Sequence, residues 1–271
     1  LAGLTELLKY VDTHIEEILR PEWTFYYQYF IDPSTTSHFL GGVGPELIGT
    51  LLVTLLAVAI ALPIGVLSAA YLVEAAGEGP VTRILRMFVG TLAGIPSIVF
   101  GLFGLAVIIT YITGEPCILA GSITLALLIL PVIIRSSEEA IKAVPSTYRE
   151  ASLGLGAGKA RCFLSVTLPA AMPGIMTGTI LGISRAAGET APLLFTCAVA
   201  SSTAFLTGSM IMQQTPVLSY SAYDIAVGDD IANIVPYNQF GMVSTLIAVV
   251  LILNLAAIII RARLSKKLRG A

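Results

Sequence analysis

The sequence predicts an all-α integral membrane protein built as a polytopic helix bundle, and three observations carry that prediction. Hydrophobic residues make up 56% of the 271 and charged residues 12%. That is about half of the roughly 25% a soluble domain uses to cover its surface. Mean hydropathy is +0.88, so most of the outer surface must face something other than water. Finally, five stretches free of charge are each long enough to cross the ~30 Å hydrocarbon core as a helix. No segment alternates apolar and polar residues as a barrel strand would, so the spans are helical.

Before the first span, Leu4, Leu7, Leu8, Val11, Ile15, Ile18 and Leu19 recur at helical spacing within residues 1–19. They predict an amphipathic helix lying on the membrane. The run Trp23–Phe30 then reads as an aromatic interfacial belt. Residues 1–45 are therefore expected to form an extracytoplasmic segment. The spans follow at Leu47–Val73, Met87–Gly114, Pro116–Ile134, Cys162–Ser184 and Ile231–Ile260. The fourth runs on from about Pro173 to near Thr196, and the strongly apolar part of the last is Phe240–Ile260. Residues 46–262 thus make the transmembrane domain, and 263–271 a basic tail.

Basic residues orient the bundle. With the C-terminus in the cytoplasm, twelve of the fifteen basic residues fall on that side. They are Arg83 and Arg86; Arg135, Lys142, Arg149, Lys159 and Arg161; and Arg261, Arg263, Lys266, Lys267 and Arg269. Five spans then place Leu1 outside, and a lost upstream helix is expected to make six. Residues 190–223 are uncharged as far as Tyr223 but carry Ser201, Ser202, Thr203, Thr207, Gln213 and Gln214. They are too polar to face lipid and read as the end of span four plus an excursion outside, partly re-entrant.

Enzyme chemistry finds no foothold. Two histidines, His14 and His38, and three cysteines without a CxxC pair (Cys117, Cys162, Cys197) are too few for a metal site or disulfide framework. There is no HExxH, and Gly182-Ile183-Ser184-Arg185-Ala186 lacks the last glycine of a nucleophile elbow. Gly154-Leu155-Gly156-Ala157-Gly158-Lys159-Ala160 imitates a phosphate loop. Leu153 stands where its first glycine belongs, and Ala160 where Ser or Thr must follow the lysine. The chain is expected to bind no ATP, cofactor, metal or nucleic acid.

The longest polar stretch between spans, residues 135–170, lies on the cytoplasmic side. It reads as a short amphipathic helix, a glycine turn and a proline that starts the next helix, a unit suited to docking in a partner's groove. Here Glu150-Ala151-Ser152 is followed by Gly156 and, thirteen residues later, by Leu168-Pro169. The spacing resembles the EAA loop of ABC importer permeases, with Ser152 in place of the second alanine and Val166 in place of isoleucine. That resemblance implies the MetI-like permease fold, with Glu150, Ala151, Gly156, Leu168 and Pro169 forming the coupling helix that seats on a separate ATPase.

Two further runs resemble the phosphate-importing branch. They are Leu92-Ala93-Gly94-Ile95-Pro96-Ser97-Ile98-Val99-Phe100-Gly101-Leu102-Phe103-Gly104 and Gly188-Glu189-Thr190-Ala191-Pro192-Leu193-Leu194-Phe195-Thr196. The second points to the PstA-type subunit over its PstC-type partner. What the resemblance implies is a multi-pass cell-membrane subunit that imports inorganic phosphate. It would pair with a PstC-type permease, two copies of an ATPase and an extracytoplasmic phosphate-binding protein. Another oxyanion, such as sulfate or molybdate, is the alternative substrate, and the PstC-type subunit the alternative identity.

Within the spans, Gly174, Gly178 and Gly182 form a small-residue stripe for a closely packed helix, from this chain or a companion. Asn254 reads as an interhelical hydrogen-bond donor. Pro96, flanked by Gly94 and Ser97, is the best of the span prolines to line a pathway. Arg185 and Glu189 are the ionisable residues inside a span, four apart and so on one helical face, with Thr190 following. Either they close on each other as a structural pair, or Arg185 offers its fork to a passing phosphate. Eleven acids against two bases in the outer segments would repel a free anion, a tension that eases if the anion arrives enclosed in a binding protein.

Overall fold

A computed structural model describes residues 10–11, 13–14, 27–34, 42–77, 79–199, 210–228 and 236–268. Among these residues the chain is helical, with one isolated bridge, Ala198 to Thr215, and no strand. Helix α1 runs Gly44–Ala75, its last five residues in a π-helical turn. It is followed by α2 (Pro80–Leu92), α3 (Ser97–Thr113), α4 (Ile118–Lys142) and α5 (Ser146–Gly154). Then come α6 (Lys159–Gly188), α7 (Ala191–Thr196), α8 (Leu218–Gly228) and α9 (Pro236–Leu268). Four of these are long and apolar enough to cross a membrane: α1, α4, α6 and Gln239–Lys266 of α9. The bent pair α2–α3 is long and apolar enough to make a fifth if it crosses as one broken span.

The bundle is built around α4. Its cores pack Val53, Ala57 and Ala61 of α1 against Leu125, Leu128, Ile129 and Ile133 of α4. Lipid is as apolar as these side chains, so association must come from close packing rather than from escape from water. The sequence supplies the small residues that permit it. A methyl group on Gly65 of α1 would stand 2.6 Å from Cγ2 of Ile133. The Gly174–Gly182 stripe of α6 finds its partner inside this chain, on α4. A Cβ at Gly174 would lie 2.5 Å from that of Ala140, one at Gly178 would collide with Ser136, and Gly182 faces Ile133 and Ile129. On the other side α6 meets α9, where Asn254 Nδ2 donates to Ser184 Oγ over 3.2 Å, as its isolation in an apolar span suggested.

One expectation changes. The continuous span Met87–Gly114 does not exist. The chain bends by 101° between Leu92 and Ser97, where Pro96 removes an amide donor and the Gly94 region cannot hold a helix. Within the polar stretch 135–170 the expected short helix and glycine turn are present, as α5 and Gly156. Helix α4 continues through Arg135 and Glu138 to Lys142, and α6 begins at Lys159, with Pro169 in the first turn of its regular α-helical part. A π-helical turn at Phe163–Thr167 precedes that proline; such a turn accommodates disruption of the regular ladder. Similarly, the basic tail remains helical as far as Leu268.

At the end opposite the basic cluster, residues 196–197 and 213–218 pack at the starts of α4 and α1. The amides of Cys117 and Ile118, orphaned at a helix N-terminus, donate to Thr196 O (3.0 Å) and Gln213 O (2.9 Å). Leu218 N donates to Thr50 Oγ1 on α1 at 2.9 Å. With eleven residues in α8, this excursion adds no further span among the described residues; residues 200–209 lie outside them. Most of the expected surface helix at 1–19 and the residues from Trp23 to Tyr26 of the aromatic belt also lie outside the described residues. Of the belt's remainder, Tyr29 does not face lipid. Thr245 Oγ1 donates to its hydroxyl over 3.3 Å, and its ring packs with Val43, Leu218 and Met242.

Candidate functional site

The expected site residues fall at three places: the protruding α5 with its anchor, the interruption at the end of α6, and the α2–α3 elbow. The first is the protruding α5. Pro145 precedes it, and Gly156, with φ of +86°, turns the chain back toward α6; a side chain there would be strained. No residue of α5 is buried. Glu150 and Ala151 are exposed on it, Tyr148 and Leu153 are exposed apolar residues, and Leu155 is 90% exposed. Leu168 and Pro169 are elsewhere: half-buried within α6, with Leu168 packed on Ala69, Ile141 and Ile175. The five residues therefore divide into an exposed knob (Glu150, Ala151, Gly156) and an anchor beneath it (Leu168, Pro169).

Arg149, which sequence reasoning passed over, fastens the knob to the bundle. Its Nη1 lies 3.1 Å from Glu74 Oε1 at the end of α1, and its Nη2 donates to Ile141 O in α4 over 2.8 Å. The Cys162 thiol donates to the Arg149 carbonyl at 3.8 Å. A second set of ion pairs ties down α2. Glu138 Oε1 accepts from Lys142 Nζ at 2.7 Å and lies 2.7 Å from Arg86 Nε as an ion pair, and Arg86 Nη2 donates to Leu72 O at 3.3 Å. The signal was present in the 3–4 residue spacing of Arg135, Glu138, Glu139 and Lys142, which is a helical face rather than a loop.

The second place is the interruption of α6. Arg185 lies in its last turn, but Glu189 is beyond it, in extended conformation with ψ of 134°. Thr190 opens α7 without a side-chain cap. The pair still closes: Arg185 Nε donates to Glu189 Oε1 at 3.3 Å. This is a single bond, and the Nη groups make no other bond among the described residues. The side chains are 37% and 17% exposed. Ser219 Oγ of α8 donates to Glu189 O at 2.9 Å and so holds the interrupted backbone.

Pro96 and Ser97 sit at the α2–α3 elbow, Pro96 exposed and Ser97 half-buried. No hydrogen bond among the described residues joins them to Arg185 or Glu189. The two breaks meet one turn further on, where Gly101 of α3 lies so close to α7 that a Cβ would be 2.8 Å from Pro192 Cα and 3.1 Å from Ala191 O. The cavity beside the elbow, about 260 Å³, is lined by Leu92, Ile95, Val99, Phe100, Phe103, Leu127 and Leu130. It is apolar throughout and offers an anion nothing.

Four long apolar helices and a bent pair define a membrane protein, with one exposed helical knob at its end. Residues 61–270 match the family described as binding-protein-dependent transport system inner membrane component, and the chain belongs to that family. It is an ABC transporter permease subunit, multi-pass in the membrane, in a system that includes an ATPase and a substrate-binding protein. Over 223 residues it is 37% identical to the phosphate transport system permease protein PstA 1 of Mycobacterium tuberculosis strain H37Rv, covering 82% of this chain and 70% of that one. It is 39% identical to PstA of Mycobacterium leprae over 68% of this chain and 60% of that one. Among solved structures it resembles the MetNI methionine ABC transporter in an inward-facing conformation, with a TM-score of 0.61 and 20% identity over 82% of this chain and 94% of the other. A bacterial ABC transporter involved in alginate import gives 0.61 at 11% identity over 97% and 94%. At such identities these two speak for the fold alone.

Proposed function

We infer that this chain is a PstA-type permease subunit of an ATP-driven importer of inorganic phosphate. The observation that carries the reading is the 37% identity to a phosphate permease across 82% of the chain. In this reading α5 is the coupling helix. Glu150 and Ala151 contact the ATPase, Gly156 lets the backbone turn away from it, and Leu168 and Pro169 seat the knob on the bundle. The subunit pairs with a PstC-type permease above two copies of the ATPase and receives phosphate from an extracytoplasmic binding protein. The basic end of the bundle, including the C-terminus, faces the cytoplasm, with residues 1–45 outside. The chain itself holds no nucleotide, since Leu153 and Ala160 spoil the phosphate-loop pattern.

Arg185 and Glu189 are the anion-responsive pair of the pathway, with Thr190, Pro96 and Ser97 on the two interrupted elements around it. Arg185 is held by one bond through Nε, which leaves both Nη groups to bind a phosphate oxygen in forked geometry. Glu189 keeps the cation partnered between transport events and limits how tightly the anion is held. Breaks in two spans let the bundle alternate its opening as the coupling helices move.

The test is reconstitution with the companion permease, ATPase and binding protein in proteoliposomes, measuring ATP-dependent uptake of phosphate, sulfate and molybdate. Phosphate-stimulated ATP hydrolysis with phosphate uptake is expected; preference for sulfate or molybdate would overturn the substrate assignment.

A further inference from the structure

Cys117 and Cys197 are 80 residues apart in the chain, and no sequence motif joins them. The fold brings both to the first turn of α4. Cys117 is the N-cap of that helix, and its sulfur accepts from Ala120 N at 3.4 Å. Its own amide donates to Thr196 O at 3.0 Å, immediately before Cys197. That bond holds the backbone next to Cys197 against the residue that caps α4, as a disulfide between the two would require. One turn along α4, Gly121 leaves the space that the other sulfur fills, since a Cβ there would stand 2.5 Å from Cys197 Sγ and 2.9 Å from its Cβ. Both thiols are free in the structure and 1% exposed. The third cysteine, Cys162, is at the opposite end of the bundle, bonded to Arg149 O.

We propose that Cys117 and Cys197 form a structural disulfide that staples residues 196–198 to the start of α4 at the extracytoplasmic mouth. The proposal rests on the orientation given above, which puts the pair in the compartment where disulfides form and persist. The oxidant is an extracytoplasmic protein disulfide. The two cysteine thiols give up two electrons and two protons, their S–S bond forms, and the S–S bond of the oxidant opens to two thiols. Burial pushes the Cys197 thiol up to about 12, and the neighbouring Cys117 adds to the rise. A buried thiol held that far from its thiolate exchanges poorly, so the bond, once made, is expected to persist.

The intact transporter complex, purified from cells that carry such an oxidase, decides the matter. It is denatured in acid, alkylated with N-ethylmaleimide, then reduced and alkylated with a heavier maleimide. One thiol, Cys162, should react before reduction and two more only after it, with a cross-linked peptide containing both Cys117 and Cys197. Three thiols alkylated before reduction would overturn the proposal, and no variant needs to fold for this result. Orientation is read separately from Leu155→Cys in intact cells with an impermeant maleimide, which should label it only after the membrane is opened. Three free thiols with Leu155→Cys protected sink the disulfide alone. Labelling of Leu155→Cys from outside sinks the orientation, and the disulfide with it.

Discussion

Replacing Arg185 separates a structural pair from an anion site, because the two roles predict losses of different size. As a pair, Arg185 and Glu189 share one 3.3 Å bond, and the arginine is 37% exposed. Such a pair contributes up to about 1 kcal/mol, equivalent to roughly a fivefold effect. As an anion site, the guanidinium makes charge-assisted bonds to phosphate worth about 1.5–3 kcal/mol, or roughly 10- to 150-fold in uptake efficiency. Arg185→Gln is therefore expected to lose uptake by that larger factor, while Arg185→Lys, which keeps the charge without the fork, falls between. In Arg185→Gln, Glu189→Gln no carboxylate is left without its partner, so assembly should be normal, yet uptake should remain low. The assay is phosphate uptake into proteoliposomes, with complex assembly followed by size-exclusion chromatography on the same preparations. Recovered uptake in the double variant would refute the pathway role.

Gly174→Ala would set two Cβ atoms 2.5 Å apart across the α4–α6 seam, so the detergent-purified complex should lose about 1–3 kcal/mol of stability. Adding Ala140→Gly removes the opposing methyl and should recover most of it in a thermal melt. Gly156→Arg places a side chain at φ of +86° on the exposed knob. The subunit should still insert while ATP-driven uptake is lost, and full uptake would show that the knob is not seated on the ATPase. Glu138→Gln leaves Arg86 and Lys142 without their shared carboxylate. Limited proteolysis near α2 should then accelerate, and an unchanged rate would mean that the ion pairs do not hold that helix.

The long spans were legible because charge-free length is a property of composition alone, and α1, α4 and α9 need little else. Asn254 was legible for the same reason: a lone amide in an apolar span must find a partner. What periodicity could not show was where a helix continues through charged residues. Arg135, Glu138 and Lys142 look like a loop when read as charges, and like a helix only once their 3–4 spacing is weighed against their cost. The elbow at Pro96 was read as a pathway feature, but the apolar walls of its cavity come from α2, α3 and α4 together, which no local pattern brings side by side. Arg149 escaped notice because its partners, Glu74 and Ile141 O, belong to other helices. The meeting of Cys117 and Cys197 is likewise a product of the tertiary fold.

Helix α4 is the most enclosed of the spans, with 67% of its apolar window buried against 17% for α9. Its N-terminal end is gripped by Thr196 O and Gln213 O, and its C-terminal end by Arg86 through Glu138 and by Arg149 through Ile141 O. Twenty-five residues at 1.5 Å each make a rod about 37 Å long, clamped to residues 196 and 213 at one tip and to the α5 knob at the other. Pro131, buried near its middle, removes one rung of the ladder where a fulcrum would be placed. A tilt of roughly 10° about that point would carry each tip about 3 Å in opposite directions, given that length. A push on the α5 end of such a rod would displace its far tip by nearly a whole atom's diameter, without the helix having to unfold.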